Sequence, residues 1–178
     1  SDVCSSDLAR GNYLAQDRTD IRFAVKELSR HMAAPREIDV IALKRLARYL
    51  VGRPRMATVF IKQGRQAFIE GWSDSDWAGC PETRKSTSGG LIKVGEHILK
   101  SWCTTQNVIA LSSAEAEYYA ILKAGSQCLG IRAMADELGV SHKIKILTDA
   151  NGAKGISLRK GLGQVKHVEV NTLWIQDK

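Results

Sequence analysis

Three acidic residues stand where they could share divalent metal ions. Asp74 and Asp149 each close a run that predicts a β-strand, and Glu117 lies in the first turns of a predicted helix. Carboxylates that come from separate elements and meet at strand ends provide the oxygen ligands that a pair of Mg²⁺ ions requires. The three acids therefore predict a two-metal site that could support hydrolysis.

Glu117 is preferred over its neighbour Glu115 because of helix geometry. Ser112 opens the helix and Glu115 stands three residues later, which is the spacing of a capping box. Glu117 lies instead on the apolar stripe that faces the predicted sheet. An ionised carboxylate on that face needs a partner, either a metal or a buried Arg or Lys. The stripe consists of Ile121, Ala124, Cys128, Ile131, Ala135 and Leu138.

The strand pattern alone does not separate Asp74 from Asp76. The two residues have the same parity, so an unbroken strand would point both to one face. Asp76 could instead cap the turn at Trp77 or support the site as an accessory residue. Asp149 could likewise be the N-cap of a helix starting near Asn151. As one of three acids at the carboxyl end of a strand, however, it is interpreted as a ligand.

The elements that must position these acids form a mixed pattern. The chain of 178 residues is 44% hydrophobic and 25% charged, which fits one compact domain or one domain with an attached piece. Short apolar runs predict strands at 57–62 and 67–73, a hairpin of 89–94 with 97–103, and a strand at 143–148. Helices are predicted at 113–138, near Asn151 and from about Val165. This order favours an α/β fold, a mixed sheet with helices packed on it.

Two amphipathic helices precede this part of the chain. Ile21, Val25, Leu28 and Met32 form one apolar stripe that Pro35 ends, and a second helix is predicted from about Asp39 to Leu50. The first eight residues have no hydrophobic period and are interpreted as a non-native, adapter-derived segment that stands apart from the fold. The proposed organisation is 1–8 as this segment, 9–56 as a helical segment and 57–178 as the α/β domain.

Charge favours a polyanionic partner. The net charge is +7, and a basic surface attracts nucleic acid before other partners, although solubility alone could explain it. No apolar run is long enough to predict a membrane span. The four cysteines form no paired motif, so a zinc site is not expected and reduced intracellular thiols are the default interpretation.

The motifs around the acids strongly resemble the ribonuclease H domain of copia-type retrotransposon Pol polyproteins. The resemblance runs from about Ala9 to the end, and its first part is similar to the segment that joins reverse transcriptase to ribonuclease H. It selects Asp74 over Asp76 and agrees with the choice of Glu117 and Asp149. The matching motifs are Trp-Ser-Asp-Ser-Asp-Trp-Ala-Gly at 72–79, Arg-Lys-Ser-Thr-Ser-Gly at 84–89, Leu-Ser-Ser-Ala-Glu-Ala-Glu-Tyr at 111–118 and Lys-His-Val-Glu at 166–169.

The chain departs from the family pattern in three places. Ala150 and Asn151 stand where the family has Asn-Gln, and Gly90 stands where an aromatic residue is common. The family also continues with a strand and a helix that carries a fourth acid, so the domain is expected to be incomplete at its C-terminus. Glu169 does not replace that acid. His167 could approach the site or simply orient the last helix, and both residues are accessory candidates together with Asp76.

The resemblance implies hydrolysis of the RNA strand of an RNA–DNA hybrid during reverse transcription. Asp74 would bridge two Mg²⁺ ions, with Mn²⁺ as a substitute, and Glu117 and Asp149 would each complete the coordination of one. Arg84, Lys85 and Lys166 are candidate phosphate contacts, which hold the register of the substrate without reading sequence. The implied partners are the hybrid and the reverse transcriptase domain of the same polyprotein, with no membrane. The implied location is intracellular, in a cytoplasmic virus-like particle or the nucleus.

Two other interpretations stay open. The chain could be an inactive relic of a retroelement, acting at most as a basic nucleic-acid-binding fragment. It could also be an integrase-like transposase core, which shares the sheet and the acids. The helix with two glutamates, which directly follows the predicted hairpin of 89–94 with 97–103, argues against the transposase.

Overall fold

The computed structural model describes residues 2–159 and 174–175. The chain divides into two compact units, Ser1–Val59 and Phe60–Lys178. Lys166, His167 and Glu169, and the helix predicted from about Val165, lie outside the described residues.

The first unit is helical. Its helices are α1 (Asp2–Leu14), a short 3₁₀ helix (Thr19–Ile21), α2 (Arg22–Ser29) and α3 (Glu37–Gly52). The predicted stripe is buried at its first three positions, whereas Met32 lies beyond the end of α2 and is 38% exposed. The buried core of this unit consists of Leu8, Ala15, Ile21, Val25, Leu28 and Leu46.

The first eight residues differ from the expectation that they stand apart from the fold. Residues 2–8 form the beginning of α1, so three helices rather than two precede the sheet. Leu8 is only 2% exposed and packs in the same core as Val25 and Leu46. One leucine at a helical position facing an apolar core is enough to join the segment to that core, and a single contact leaves no hydrophobic period over eight residues.

The second unit is built on a four-stranded mixed sheet. Its strands are β1 (Phe68–Asp76), β2 (Thr87–Val94), β3 (His97–Thr105) and β4 (Lys143–Leu147), in the spatial order β3-β2-β1-β4. The first three strands pair antiparallel, and β4 runs parallel to β1. The carboxyl ends of β1, β3 and β4 therefore lie at one edge of the sheet.

Among the described residues, α4 (Ser113–Glu137) packs on this sheet and α5 (Asn151–Leu158) packs against α4. One side of α4 covers a core that includes Ile69, Ile92 and Trp102. Its other side carries Tyr118, which packs with α5 and with the Trp174–Ile175 pair. The α/β class with a mixed, ribonuclease H-like sheet and flanking helices is thereby confirmed. The predicted stripe of α4 is buried only in its first half, since Leu138 is 82% exposed.

The strand predicted at 57–62 is wrong. This stretch forms no ladder, and Val59, Phe60 and Ile61 are all more than half exposed. It is held by side chains instead, because the His97 ring lies 2.7 Å from the carbonyl oxygen of Ile61 and contacts Phe60 edge-on. The residues of this stretch favour a β-strand, but none of the described strands pairs with it. Composition alone does not make a strand.

Among the described residues, no helix is long and apolar enough to cross a membrane.

Candidate metal centre

Parallel pairing of β1 with β4 brings two of the three acids to one place. The register pairs Phe68 with Lys143 and Trp72 with Leu147, a constant offset of 75 residues. The same offset, carried two residues further, sets Asp74 beside Asp149. Asp74 belongs to β1, and Asp149 follows β4 after a single threonine.

Glu117 completes the cluster from α4. One carboxylate oxygen of Asp74, one of Glu117 and one of Asp149 lie within 4.8 Å of one another. Glu117 is buried, whereas the two aspartates are exposed. The structure thus brings together the three acids selected from the sequence, on three separate elements at one edge of the sheet.

The start of α4 is fixed by two polar contacts. The Ser112 hydroxyl accepts a hydrogen bond from the backbone N–H of Glu115, as the capping box predicts. The Glu115 carboxylate accepts from the backbone N–H of Leu111, at 2.8 Å, and the side chain is almost fully buried. Glu115 therefore has a structural role, and the helix start that it fixes sets the position of Glu117 two residues later.

Within the described part of the chain, Glu117 is an acid without a countercharge. Burial raises the pKa of its carboxyl above the usual range, and the negative charges of Asp74 and Asp149 act in the same direction. Two hydrogen bonds from Ser75 to Oε1 oppose the rise in pKa. The second oxygen, Oε2, is buried and has no hydrogen-bond partner among the described residues.

Asp76 lies outside this cluster. Its carboxylate sits against the backbone of Gly79, so closely that a Cβ added to that glycine would collide with it. The side chain therefore fills the inside of the turn that follows β1, which was one of the two roles left open by the sequence.

Asp149 is not the cap of α5. The N-cap position is Ala150, and no side chain caps this helix end. The backbone N–H of Ala150 donates instead to the Thr148 hydroxyl, at 3.2 Å. Asp149 is thus left available to the cluster.

The Arg-Lys-Ser-Thr-Ser-Gly motif has a structural role that its sequence pattern does not predict. Ser86 is fully buried, and its hydroxyl accepts a hydrogen bond from the backbone N–H of Ala78, which closes the loop between β1 and β2. The Gln106 amide donates to the Ser88 hydroxyl and to the carbonyl oxygen of Ala116 in α4. These bonds tie the strand ends to the helix that carries Glu117. The sequence alone does not indicate that a serine near a loop is buried.

The two described basic candidates lie on that same loop. Arg84 is exposed and has a left-handed backbone, with φ of 56°, and Lys85 is half-buried. The backbone N–H of Arg84 donates to the carbonyl oxygen of Cys80, at 2.8 Å. The loop leaves the carboxyl end of β1 two residues after Asp74, so it lies at the edge of the sheet that carries the acids.

The residues present fit a divalent cation. Three carboxylates form an all-oxygen donor set of the kind that Mg²⁺ and Mn²⁺ prefer. The buried Oε2 of Glu117, which has no hydrogen-bond partner in the described part of the structure, is costly unless a positive group approaches it. A cation would also relieve the mutual repulsion of the three charges.

Comparison with known proteins assigns the family. The chain is 32% identical over 169 residues to the retrovirus-related Pol polyprotein from transposon RE2 of Arabidopsis thaliana, covering 93% of this chain and 12% of that protein. It is 38% identical over 128 residues to the Pol polyprotein from transposon RE1 of the same plant, covering 72% of this chain and 9% of that protein.

The chain belongs to the retrovirus-related Pol polyproteins of copia-type transposons. It spans about a tenth of the length of these two Pol relatives. A shorter match of 112 residues, 37% identical, is to Secreted RxLR effector protein 161 of Plasmopara viticola, covering 63% of this chain and 78% of that protein. No protein-family profile matches the chain. No solved structure matches this Pol-derived chain either.

Proposed function

We propose that this Pol-derived domain is a ribonuclease H that hydrolyses the RNA strand of RNA–DNA hybrids. The observation that carries the proposal is the convergence of Asp74, Glu117 and Asp149 at one sheet edge, together with a buried Glu117 oxygen that has no hydrogen-bond partner among the described residues. Membership of the Pol family supplies the biological setting, since reverse transcription makes such hybrids.

The three acids are the metal ligands in this proposal. Asp74, Glu117 and Asp149 would hold two Mg²⁺ ions, and Mn²⁺ could replace them. The bound ions would supply a polarised water and a positive charge for the departing 3′ oxygen. Asp74 comes from the interior of the sheet and Glu117 from a helix whose start is capped, so both ligands stand on rigid elements, as a precise metal site requires.

Basic residues position the nucleic acid. Arg84 and Lys85 follow the strand that carries Asp74, and Lys166 joins them as a candidate phosphate contact. Such contacts favour any polyanion, and selection for the hybrid would come from its shape and from the 2′-hydroxyl groups of the RNA strand. The partners proposed are the hybrid and the reverse transcriptase domain of the same polyprotein, at an intracellular site.

The proposal is tested by offering the chain four substrates of one sequence. These are an RNA–DNA hybrid, duplex RNA, duplex DNA and single-stranded RNA, each with Mg²⁺, with Mn²⁺ and with a chelator. Cleavage of the RNA strand in the hybrid alone, lost on chelation, is the expected result. Cleavage of duplex DNA would support a transposase-like core instead.

The second candidate function is nucleic-acid binding without cleavage. The observation that favours it is the exposed cationic face of α3, formed by Lys44, Arg45 and Arg48, in a unit separate from the acids. Hybrid binding that weakens steeply with salt, together with no cleavage in either metal, would support this function.

A further inference from the structure

Ser75 holds one oxygen of Glu117 with two hydrogen bonds. Its backbone N–H donates to Oε1 at 3.0 Å, and its hydroxyl donates to the same oxygen at 2.9 Å. The other oxygen of that carboxylate, Oε2, is buried without a hydrogen-bond partner among the described residues. Ser75 therefore supplies hydrogen bonds to Oε1 and none to Oε2.

The strand explains why Ser75, and not its neighbour, reaches the helix. Consecutive side chains of a strand point to opposite faces. Ser75 shares its face with Ile69 and Gly71, and a Cβ added to Gly71 would collide with Cys128 of α4. This face of β1 therefore looks toward α4. The dipeptide Asp74-Ser75 thus supplies one acid of the cluster and a hydrogen-bonding partner for another.

The two hydrogen bonds restrict the torsions of the Glu117 side chain. A glutamate has three side-chain torsions, and ordering them costs conformational entropy. Hydrogen bonds to an ionised carboxylate are stronger than neutral ones, and two of them to one oxygen define the rotation of the whole group. Because both donors of Ser75 bind Oε1, Oε2 is the carboxylate oxygen that remains available as an acceptor.

We propose that Ser75 is a positioning residue that orients Glu117 so that Oε2 is presented to a divalent cation. The inference rests on the proposed function, because it assumes that the three acids bind metal. It goes further by assigning a supporting contact to a residue that is neither acidic nor a metal ligand. Contacts of this kind, behind the ligands, typically account for 10–100-fold in metal affinity.

Ser73 provides a matched control. It lies two residues earlier on the same face of β1 and is buried, whereas Ser75 is half-buried, and the Ser73 hydroxyl has no hydrogen-bond partner among the described residues. Ser73→Ala therefore makes the same chemical change on the same strand without touching Glu117. Ser75→Thr is the conservative variant, since threonine keeps a hydroxyl and suits a strand.

The test is Mn²⁺ binding to the full chain without nucleic acid, followed by electron paramagnetic resonance. Ser75→Ala should bind Mn²⁺ about tenfold more weakly than wild type, at the lower end of the range because the backbone hydrogen bond remains. Ser75→Thr and Ser73→Ala should bind like wild type. In the cleavage assay, Ser75→Ala should need about tenfold more Mg²⁺ for half-maximal rate and approach the wild-type rate at saturation.

The outcomes separate the two proposals. Wild-type affinity in Ser75→Ala would overturn the positioning role while leaving the metal centre intact. Equal weakening by Ser73→Ala would also overturn it, because the effect would then belong to the strand as a whole. Failure of the wild type to bind Mn²⁺ and to cleave hybrid would refute the proposed function and the inference with it. If Ser75→Ala does not fold, Ser75→Thr decides, since loss of Mn²⁺ affinity in a folded threonine variant contradicts the hydroxyl's role.

Discussion

Trp102 of β3 lies over Gly90 of β2, its direct partner in the antiparallel pair. A Cβ added to Gly90 would collide with the indole ring, which is buried in the core between the sheet and α4. Gly90 stands where an aromatic residue is common in the resembling family. Here the neighbouring strand supplies the aromatic ring, and the glycine makes room for it.

Substitution of Gly90 should therefore destabilise the second unit. Gly90→Ala forces the indole or the strand to shift, and overpacking of this kind costs about 1–3 kcal/mol. Gly89→Ala is the control, because no atom lies within 4 Å of its added Cβ. Denaturant unfolding followed by tryptophan fluorescence is suitable, since all four tryptophans belong to this unit. Equal stability of the two variants would contradict the packing described.

Asp20 should make the stability of the first unit depend on pH. A hydrogen bond from the Arg18 guanidinium, assisted by one from Tyr49, lowers the pKa of Asp20 to about 2, below its ordinary value. A lowered carboxyl pKa stabilises the fold above the unfolded pKa, and this contribution is lost as pH falls toward 2. Asp20→Asn should therefore lower stability at pH 7 but not at pH 2, as measured by far-UV circular dichroism. A difference that persists unchanged at pH 2 would exclude this origin.

Glu117 should oppose stability in the absence of metal. Its raised pKa means that the folded state favours the protonated acid, so its contribution to stability is present at low pH and lost as pH rises through the folded pKa. Glu117→Gln removes the buried charge and keeps an oxygen to accept from Ser75. In chelator at pH 7, the variant should melt at a higher temperature than wild type.

Added Mg²⁺ should reverse that order. Metal that binds only the folded wild type raises its melting temperature, and Glu117→Gln should respond weakly. Suppose instead that Glu117→Gln is less stable than wild type in chelator and is stabilised by Mg²⁺ as much as wild type is. Glu117 would then face a partner other than a cation.

Arg84 should contribute to hybrid binding without sequence preference. Arg84→Gln should reduce the slope of log affinity against log salt concentration by about 1, as expected for one phosphate contact. Arg65→Gln is the control, since this exposed arginine precedes β1 at the opposite end from the acids. Fluorescence anisotropy over a range of salt concentrations provides the measurement. An equal change in both variants would indicate a general effect of charge.

The elements that carry the acids could be predicted because their signals are local, whereas Asp74 is separated from Asp76 only by the family resemblance. The hairpin turn at Gly95-Glu96 has a clear pattern, and the Ser112 cap marks the start of α4. Ser75 could not be predicted as a partner of Glu117, since the contact joins residues 42 apart and depends on how α4 lies across β1. The apolar run at 57–62 misled for the same reason, because a strand requires a partner that only the assembled sheet reveals.

The most direct test of the metal centre compares Asp74→Asn with Asp76→Asn in hybrid cleavage. Both aspartates lie on β1 two residues apart and are exposed, but only Asp74 belongs to the cluster of acids among the described residues. Asp74→Asn should abolish Mg²⁺-dependent cleavage while hybrid binding stays intact, and Asp76→Asn should retain most of the activity. Equal activity of Asp74→Asn and wild type would contradict the assignment of the site.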